Sequence, residues 1–405
     1  MKHIHYAWWV CVGCALLLFC TSGLAVNAFT VYQPYILKVN GFTNAQSSTL
    51  ITIRSLFTFL SMLSAGLYYR HFSLRAGMTI AGMTVALGFL TFALAGNYAV
   101  YCAAAALVGL GYGVGTMIPI AILLDRWFLT DRTLALGACS AVTGLSTLGI
   151  PSMLTALIEE YSLRAGFLVG SAAIALLTLV SWALLRNKPA ELGLAPYAHG
   201  EAAAVRRRRG GADLTKGDWA VLAPTLLLIG AVTSVGYSHL TVHMSAMGYS
   251  PHVAAFGITV SGIALMLGKI AFGWVSERAG MYAGNWIFGL ILVAGLVLLC
   301  LPVKNSALLY LAMAAYGVGL SLTTVGLTAW AGDWSTEERY DSTVGRFQIG
   351  YSGGGLLFSS LPGILADRSG GSYRPAYLFF LACAVCMLLT VQFIYLRKRK
   401  GIVKP

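Results

Sequence analysis

The chain of 405 residues is 58% hydrophobic and only 10% charged, with a mean hydropathy of +0.76. A soluble domain carries about a quarter charged residues, so the composition excludes a soluble globular protein and predicts an all-α protein crossing a membrane many times. A net charge of +13 would suggest nucleic acid in a soluble protein. Here the basic residues gather in loops and tails between apolar segments, and no nucleic-acid partner is expected.

Taken in order, Met1–His5 is followed by a full-length apolar stretch from Trp8 with no small-residue cleavage site, so no cleavable signal is expected. Twelve segments are long enough to span a bilayer as helices. Spans 1 to 6 are expected at 8–37, 46–69, 77–95, 99–124, 133–158 and 164–186. Spans 7 to 12 are expected at 219–245, 252–276, 281–302, 306–331, 340–365 and 374–396. The domain plan is a six-helix bundle at 1–186, a basic linker at 187–218 holding Arg206–Arg209 and Gly210–Gly211, and a six-helix bundle at 219–405 ending in a short basic tail. On this placement nineteen lysines and arginines fall on the side of the N-terminus, five on the other, and three within spans: Arg54, Lys269 and Arg346. The asymmetry predicts a multi-pass protein of the cytoplasmic (inner) membrane with both termini in the cytoplasm. The basic linker and tail then face anionic lipids.

The halves repeat. Gly111-Tyr112-Gly113-Val114-Gly115 in span 4 is echoed by Ala315-Tyr316-Gly317-Val318-Gly319 in span 10. Asp125-Arg126-Trp127 is echoed by Gly332-Asp333-Trp334, and Gly41-Phe42-Thr43 by Gly248-Tyr249-Ser250. Two parallel six-helix repeats mark a class of secondary transporters whose substrate site lies at the membrane midplane between the halves.

An intramembrane charge costs roughly 2.5–3.5 kcal/mol on insertion scales and is a functional hypothesis by default. Lys269 lies in the segment Pro251 to Gly280, on a face with Gly262, Leu265, Met266, Phe272 and Gly273. Arg54 shares span 2 with the small polar residues Ser47, Thr58 and Ser61, and Arg346 shares a face of span 11 with Gly350 and Gly353. The competing reading is snorkelling to the headgroups, open for Lys269 and more so for Arg346, about two turns from the cytoplasmic end. None of the fourteen acids lies inside a predicted span. Buried cations need compensation, and an anionic substrate supplies it: a carboxylate pairs with the Arg fork and meets Lys as a point charge.

Neutral groups complete the candidate set. His239 and His243 lie one above the other on span 7; histidine titrates near neutrality, so His243 is a candidate substrate or proton contact. Span 1 offers Gly23, Asn27, Thr30 and Pro34 on one face, with Tyr32 and Gln33 adjacent, and Tyr112 and Tyr316 hold repeat-related places. These residues are donors and aromatic walls for a pocket or, equally, helix-contact residues. The Gly-rich runs of spans 4 and 10 read as close-packing surfaces. All eight cysteines, including the CxxC pairs Cys11/Cys14 and Cys383/Cys386, sit in apolar segments without further ligands nearby, so neither a metal nor any other cofactor is expected.

Across nearly its whole length the chain resembles the major facilitator superfamily. Gly273-Trp-Val-Ser-Glu277-Arg278-Ala-Gly280 resembles that family's GxLxDRxG loop, with Glu for Asp, and the first-half copy carries Arg70 where the acid belongs. The resemblance implies two pseudo-symmetric six-helix bundles, with Glu277, Arg278 and Arg70 as gating residues. A narrower resemblance, to the oxalate/formate antiporter and monocarboxylate transporter branch, rests on several pieces. They include Trp8-Trp9-Val10, Arg126-Trp127-Phe128 before Arg132, Lys188-Pro189-Ala-Glu191-Leu-Gly193-Leu-Ala-Pro196, His243 before Gly248, and Gly268-Lys269. It implies that basic residues in spans 8 and 11 bind a substrate carboxylate. Leu265 stands where proton symporters of the branch carry an Asp.

The expectation is therefore a monomeric, non-enzymatic transporter of a mono- or dicarboxylate, with protons as an alternative coupling partner through His243. A proton-coupled carrier of a larger amphipathic or zwitterionic solute, and a transporter-like sensor, are the alternatives.

Overall fold

The computed structural model describes residues 5–42, 44–148, 150–198, 213–301 and 304–402. Arg206–Arg209 and Gly210–Gly211 of the predicted linker lie outside the described residues. Among the described residues the structure is helical, with one isolated parallel bridge between Phe128 and Tyr197. Among the described residues ten helices are long and apolar enough to cross a membrane: Tyr6–Asn27, Thr49–His71, Leu74–Ala93, Tyr98–Trp127, Leu163–Leu184, Lys216–Ser238, Phe256–Ala279, Met281–Cys300, Ser306–Asp333 and Arg374–Lys398.

Spans 5 and 11, expected to be continuous, are interrupted. Span 5 consists of Arg132–Ala141, a 3₁₀ turn Val142–Thr147, and Ile150–Glu160. The turn follows from its hydroxyls: Ser140, Thr143 and Ser146 each donate to the carbonyl three residues back, at 3.2, 2.8 and 2.7 Å. Such bonds compete with the helical ladder. Span 11 breaks after Tyr340–Leu357 and resumes at Leu361–Arg368, with Pro362 in the first turn, where its missing N–H costs nothing.

The chain divides into two units, Met1–Arg206 and Arg207–Pro405. The start of the predicted linker folds back on the first unit. Tyr197 N–H donates to Trp127 O and Tyr197 O accepts from Leu129 N–H, both at 2.8 Å. The Tyr197 ring packs against His5, Trp8 and Phe128. At the other end Asp213 accepts from Thr336 N–H at 2.9 Å, and Thr215 and Asp218 form a capping box opening the helix at Lys216.

In each unit the repeated Gly-rich runs bring helices together backbone to backbone. A side chain at Gly109 or Gly113 would strike the backbone of span 2 at Arg54 or Thr58, and one at Gly317 the carbonyl of Ser261 in span 8. Small residues permit this approach between apolar helices. The first unit's core is completed by stacked rings: Tyr32 on Phe167 at 4.3 Å, and Phe92 on Phe167 at 5.0 Å.

Spans 1 and 7 carry the same irregularity at repeat-related places. Span 1 contains a π-helical stretch Phe19–Asn27, and span 7 another at Ala231–Val235. In each, a backbone N–H reaches five residues back, Ala28 to Gly23 and Gly236 to Ala231. Such bulges leave carbonyls without their helical donor and are frequent at functional positions.

Candidate functional site

In the first unit the structure places Arg54 within electrostatic reach of Tyr112 and ties Asn27 to the span 5 turn. Arg54 rides on the helix Asn44–His71, five residues in from the Thr49 end of the apolar stretch Thr49–His71. The guanidinium stands over the Phe29 ring, its carbon 5.4 Å from the ring centroid. Its Nη1 is enclosed and has no hydrogen-bond partner, and Tyr112 of span 4 lies within electrostatic reach. Thr58 Oγ1 donates to Arg54 O at 2.8 Å, so the threonine holds the helix rather than the guanidinium. Asn27, at the end of the span 1 bulge, donates through Nδ2 to Thr143 O and Ser146 Oγ of the span 5 turn, each at 3.4 Å. The two irregular segments are thus joined by one amide, two residues before the phenylalanine that carries the arginine.

Tyr32 takes a different place. It is buried in the aromatic core, and its hydroxyl donates to Gly166 O at 3.0 Å. It packs span 1 against span 6.

In the second unit Lys269 is buried, with a relative exposure of 6%. Its helix, Pro251–Ala279, is held against span 10 by the close approach of Gly268 to Val318. Among the described residues every acid lies in a loop or in the terminal turn of a helix. The interior charges of the spans are therefore all positive.

Tyr316 and His243 serve the packing of this unit. Gly236 N–H bonds Ala231 O across the π turn, which deprives Val232 O of its α-helical donor. Tyr316 Oη–H supplies the replacement at 2.6 Å, and Tyr377 Oη–H donates to Gly236 O at 2.8 Å. His243 is buried and stacked on Tyr377 at 4.1 Å. Its Nε2 lies 2.9 Å from Leu299 O; a carbonyl only accepts, so Nε2 carries the hydrogen. Nδ1 is enclosed without a partner. His239 lies 3.0 Å from Val235 O through Nδ1.

Arg346 is exposed, and its guanidinium carbon stands 5.5 Å from the Trp219 ring centroid. Trp219 lies in the first turn of the helix that begins at Lys216, so Arg346 sits level with the end of the second unit rather than deep within it. Arg70, Glu277 and Arg278 lie exposed in the last turns of the span 2 and span 8 helices. Arg278 covers Trp274, 4.6 Å from the ring centroid.

Sequence reading missed Phe29 as the platform of Arg54. Its only signal was adjacency to Asn27 on the same span. The π turns left no signal of their own, because they depend on which residues of other helices answer the freed carbonyls.

Comparison with known proteins agrees with this architecture. The Major Facilitator Superfamily profile matches residues 15–284 and 241–405. Monocarboxylate transporter 13 of Bos taurus is 28% identical over 317 residues, covering 77% of this chain and 72% of that protein. Monocarboxylate transporter 12 of Mus musculus is 24% identical, covering 95% of this chain and 84% of that protein. Among solved structures, the outward conformation of the Major Facilitator Superfamily transporter FucP superposes with a TM-score of 0.73 at 14% identity. That match covers 97% of this chain and 99% of that one, and at this identity the likeness speaks for the fold. With helical repeats of this construction and a family profile spanning both, the chain belongs to the Major Facilitator Superfamily and is related to its monocarboxylate transporters.

Proposed function

We propose that this transporter carries a small organic anion, a mono- or dicarboxylate, by alternating access. The observation that carries the reading is Arg54. One nitrogen of its guanidinium is enclosed without a hydrogen-bond partner, one face is taken by Phe29, and no acid stands in the interior of any described span. A buried guanidinium keeps its charge and gains most from a carboxylate that uses its paired donors. Lys269 is the second interior cation, in its own unit, and attracts the same charge without the fork geometry. Tyr112, within electrostatic reach of Arg54, and Asn27 on the same span as Phe29 are the neutral polar groups of this scheme. Arg346, level with the end of its unit, draws anions toward the protein rather than holding them. Tyr32, Tyr316 and His243 act through packing. Exchange or facilitated diffusion suits an interior without acids better than proton symport through a carboxylate.

The charge asymmetry of the loops supports a cytoplasmic-membrane protein with both termini in the cytoplasm. Arg70, Glu277 and Arg278 are then the polar latch residues on that side.

The test is ligand-dependent thermal stabilisation of the purified protein, followed by uptake into proteoliposomes, because binding to the folded state raises the melting midpoint. Small carboxylates should stabilise; cationic and neutral amphipaths should not. Arg54→Gln and Lys269→Gln should abolish carboxylate stabilisation and uptake while leaving insertion and the ligand-free midpoint close to wild type. Arg54→Lys should retain part of the response. Carboxylate uptake with unchanged kinetics in Lys269→Gln removes that residue from the mechanism. Stabilisation by cations alone refutes the anion assignment.

A further inference from the structure

We infer that the corner formed by the start of span 3 and the end of span 6 is a binding site for the phosphate of an anionic phospholipid, with Arg75 and Arg186 as its two clamps. This is separate from the transported anion and does not depend on it.

Arg75 lies in the first turn of the helix Leu74–Ala93. Its Nε–H donates to Trp182 O at 3.0 Å, and its guanidinium carbon stands 4.3 Å from the Trp182 ring centroid. The remaining donors of the fork are held in one orientation by these two contacts. Arg186 follows the helix Leu163–Leu184. Its Nη1–H donors go to Ala183 O at 2.9 Å and Leu185 O at 2.8 Å, which folds the second guanidinium over the same helix end. The two arginines lie within electrostatic range of each other, and Glu191 is the acid within range of Arg75. The Glu191 carboxylate accepts from Asn187 N–H, and neither arginine forms an ion pair among the described residues. Two like charges held on the carbonyls of one helix end, at Trp182, Ala183 and Leu185, favour an added anionic oxygen group that both can reach.

The apolar surroundings select a lipid rather than a soluble anion. Trp182 is 47% exposed, and below it on the same two helices Ile80, Met83, Leu87, Leu176 and Leu179 are exposed as well. Tryptophan at the headgroup level with an apolar surface beneath is the profile of a helix end at the membrane interface. A lipid whose phosphate meets the arginines lays its chains on these side chains.

The second unit provides an internal contrast. Counted from their helix starts, Arg397 in span 12 takes the place of Arg186 in span 6. There the charge is neutralised within the protein, by Asp218 at 2.8 Å. In place of the Arg75–Trp182 bond, Gln392 Nε2 donates to Tyr282 O at 3.1 Å. The arginine at this place is thus answered by a protein carboxylate in one repeat, whereas Arg75 and Arg186 form no ion pair among the described residues of the other.

The experiment titrates the full chain, purified in neutral detergent, with phosphatidylglycerol, phosphatidylcholine or inorganic phosphate, and reads bound lipid by native mass spectrometry. Phosphatidylglycerol should bind selectively. Each lysine or arginine near an anionic surface contributes about fivefold in affinity, so R75Q should weaken binding about fivefold and R75Q/R186Q on the order of 25-fold. R75K/R186K, which keeps both charges and reports on folding, should retain most of the binding. R278Q removes an arginine from an exposed tryptophan in the other unit and should cost less than about twofold. Equal phosphatidylglycerol binding by wild type and R75Q/R186Q overturns the proposal, and so does displacement of the lipid by millimolar inorganic phosphate.

Discussion

Tyr316→Phe removes one oxygen atom from the centre of the second unit. That oxygen donates to Val232 O at 2.6 Å, and the tyrosine is fully buried. Because Gly236 N–H is drawn to Ala231 O by the π turn, Val232 O has lost its α-helical donor. An orphaned buried carbonyl costs about 1–3 kcal/mol, and hydrogen bonds between membrane helices run up to about 1.7 kcal/mol; about 1–2 kcal/mol is the expected loss. For a unit of roughly 200 residues this lowers the melting midpoint by about 2–8 °C. A second substitution makes the argument specific. A Cβ at Gly236 would meet Tyr316 Oη at 2.6 Å, while the next neighbours, carbons of Phe380, stand at 3.5 and 3.7 Å. Gly236→Ala should therefore destabilise the wild type by about 1–3 kcal/mol through overpacking. In the Tyr316→Phe background the obstructing oxygen is gone, and the alanine should be neutral or stabilising through its helix propensity. The assay is a double-mutant cycle on thermal midpoints of the purified protein, with carboxylate uptake measured in parallel. Additive effects of the two substitutions would refute the packing reasoning. A raised KM in Tyr316→Phe at unchanged stability would return Tyr316 to the substrate site.

Three further outcomes follow from the geometry. Trp330 Nε1–H donates to Asn285 Oδ1 at 2.9 Å, both residues being buried; Trp330→Phe or Asn285→Leu alone should cost about 1–3 kcal/mol, and the pair together less than the sum, which a second cycle on melting midpoints measures. Gly317→Leu should prevent span 8 from reaching span 10, since a side chain there strikes the Ser261 carbonyl; loss of a monodisperse gel-filtration peak checks this, and a normal peak would refute the contact. Asp213 is held below the usual carboxylate range, chiefly by the Thr336 backbone N–H, then by the Thr336 side chain and by Arg339 at 3.3 Å. A depressed folded-state value means its contribution is present above the unfolded carboxylate value and lost as pH falls through the depressed one. Asp213→Asn should accordingly lower the midpoint at neutral pH and converge with wild type in acid; a constant difference across pH would be inconsistent with this account.

Much of the protein was determined by the order of residues alone. Apolar stretches of bilayer length, parted by short polar loops, dictate helices, because no other short-range structure satisfies its own backbone in hydrocarbon. The repeated Gly-Tyr-Gly-Val-Gly and Ala-Tyr-Gly-Val-Gly runs announced two related bundles and close helix contacts, and Gly113 and Gly317 do meet the backbones of spans 2 and 8, while Gly111 and Gly319 meet those of spans 3 and 9. The rarity of charge in the spans made Arg54 and Lys269 conspicuous without any coordinates. What the tertiary structure decided was which polar residues face inward as tools and which are consumed as braces. Tyr112 and Tyr316 occupy equivalent places in the repeat, yet Tyr112 stands near Arg54 while Tyr316 is spent on Val232 O. The difference lies in what another helix leaves unsatisfied: a π turn in span 7 exposes a carbonyl that must be answered, and the nearest hydroxyl answers it. The same holds for the broken spans 5 and 11, for the return of Tyr197 to the loop after Trp127, and for Phe29 beneath Arg54. A hydrogen bond or a ring contact between residues far apart in the chain depends on the joint placement of several helices, and no local pattern of residue types encodes that placement.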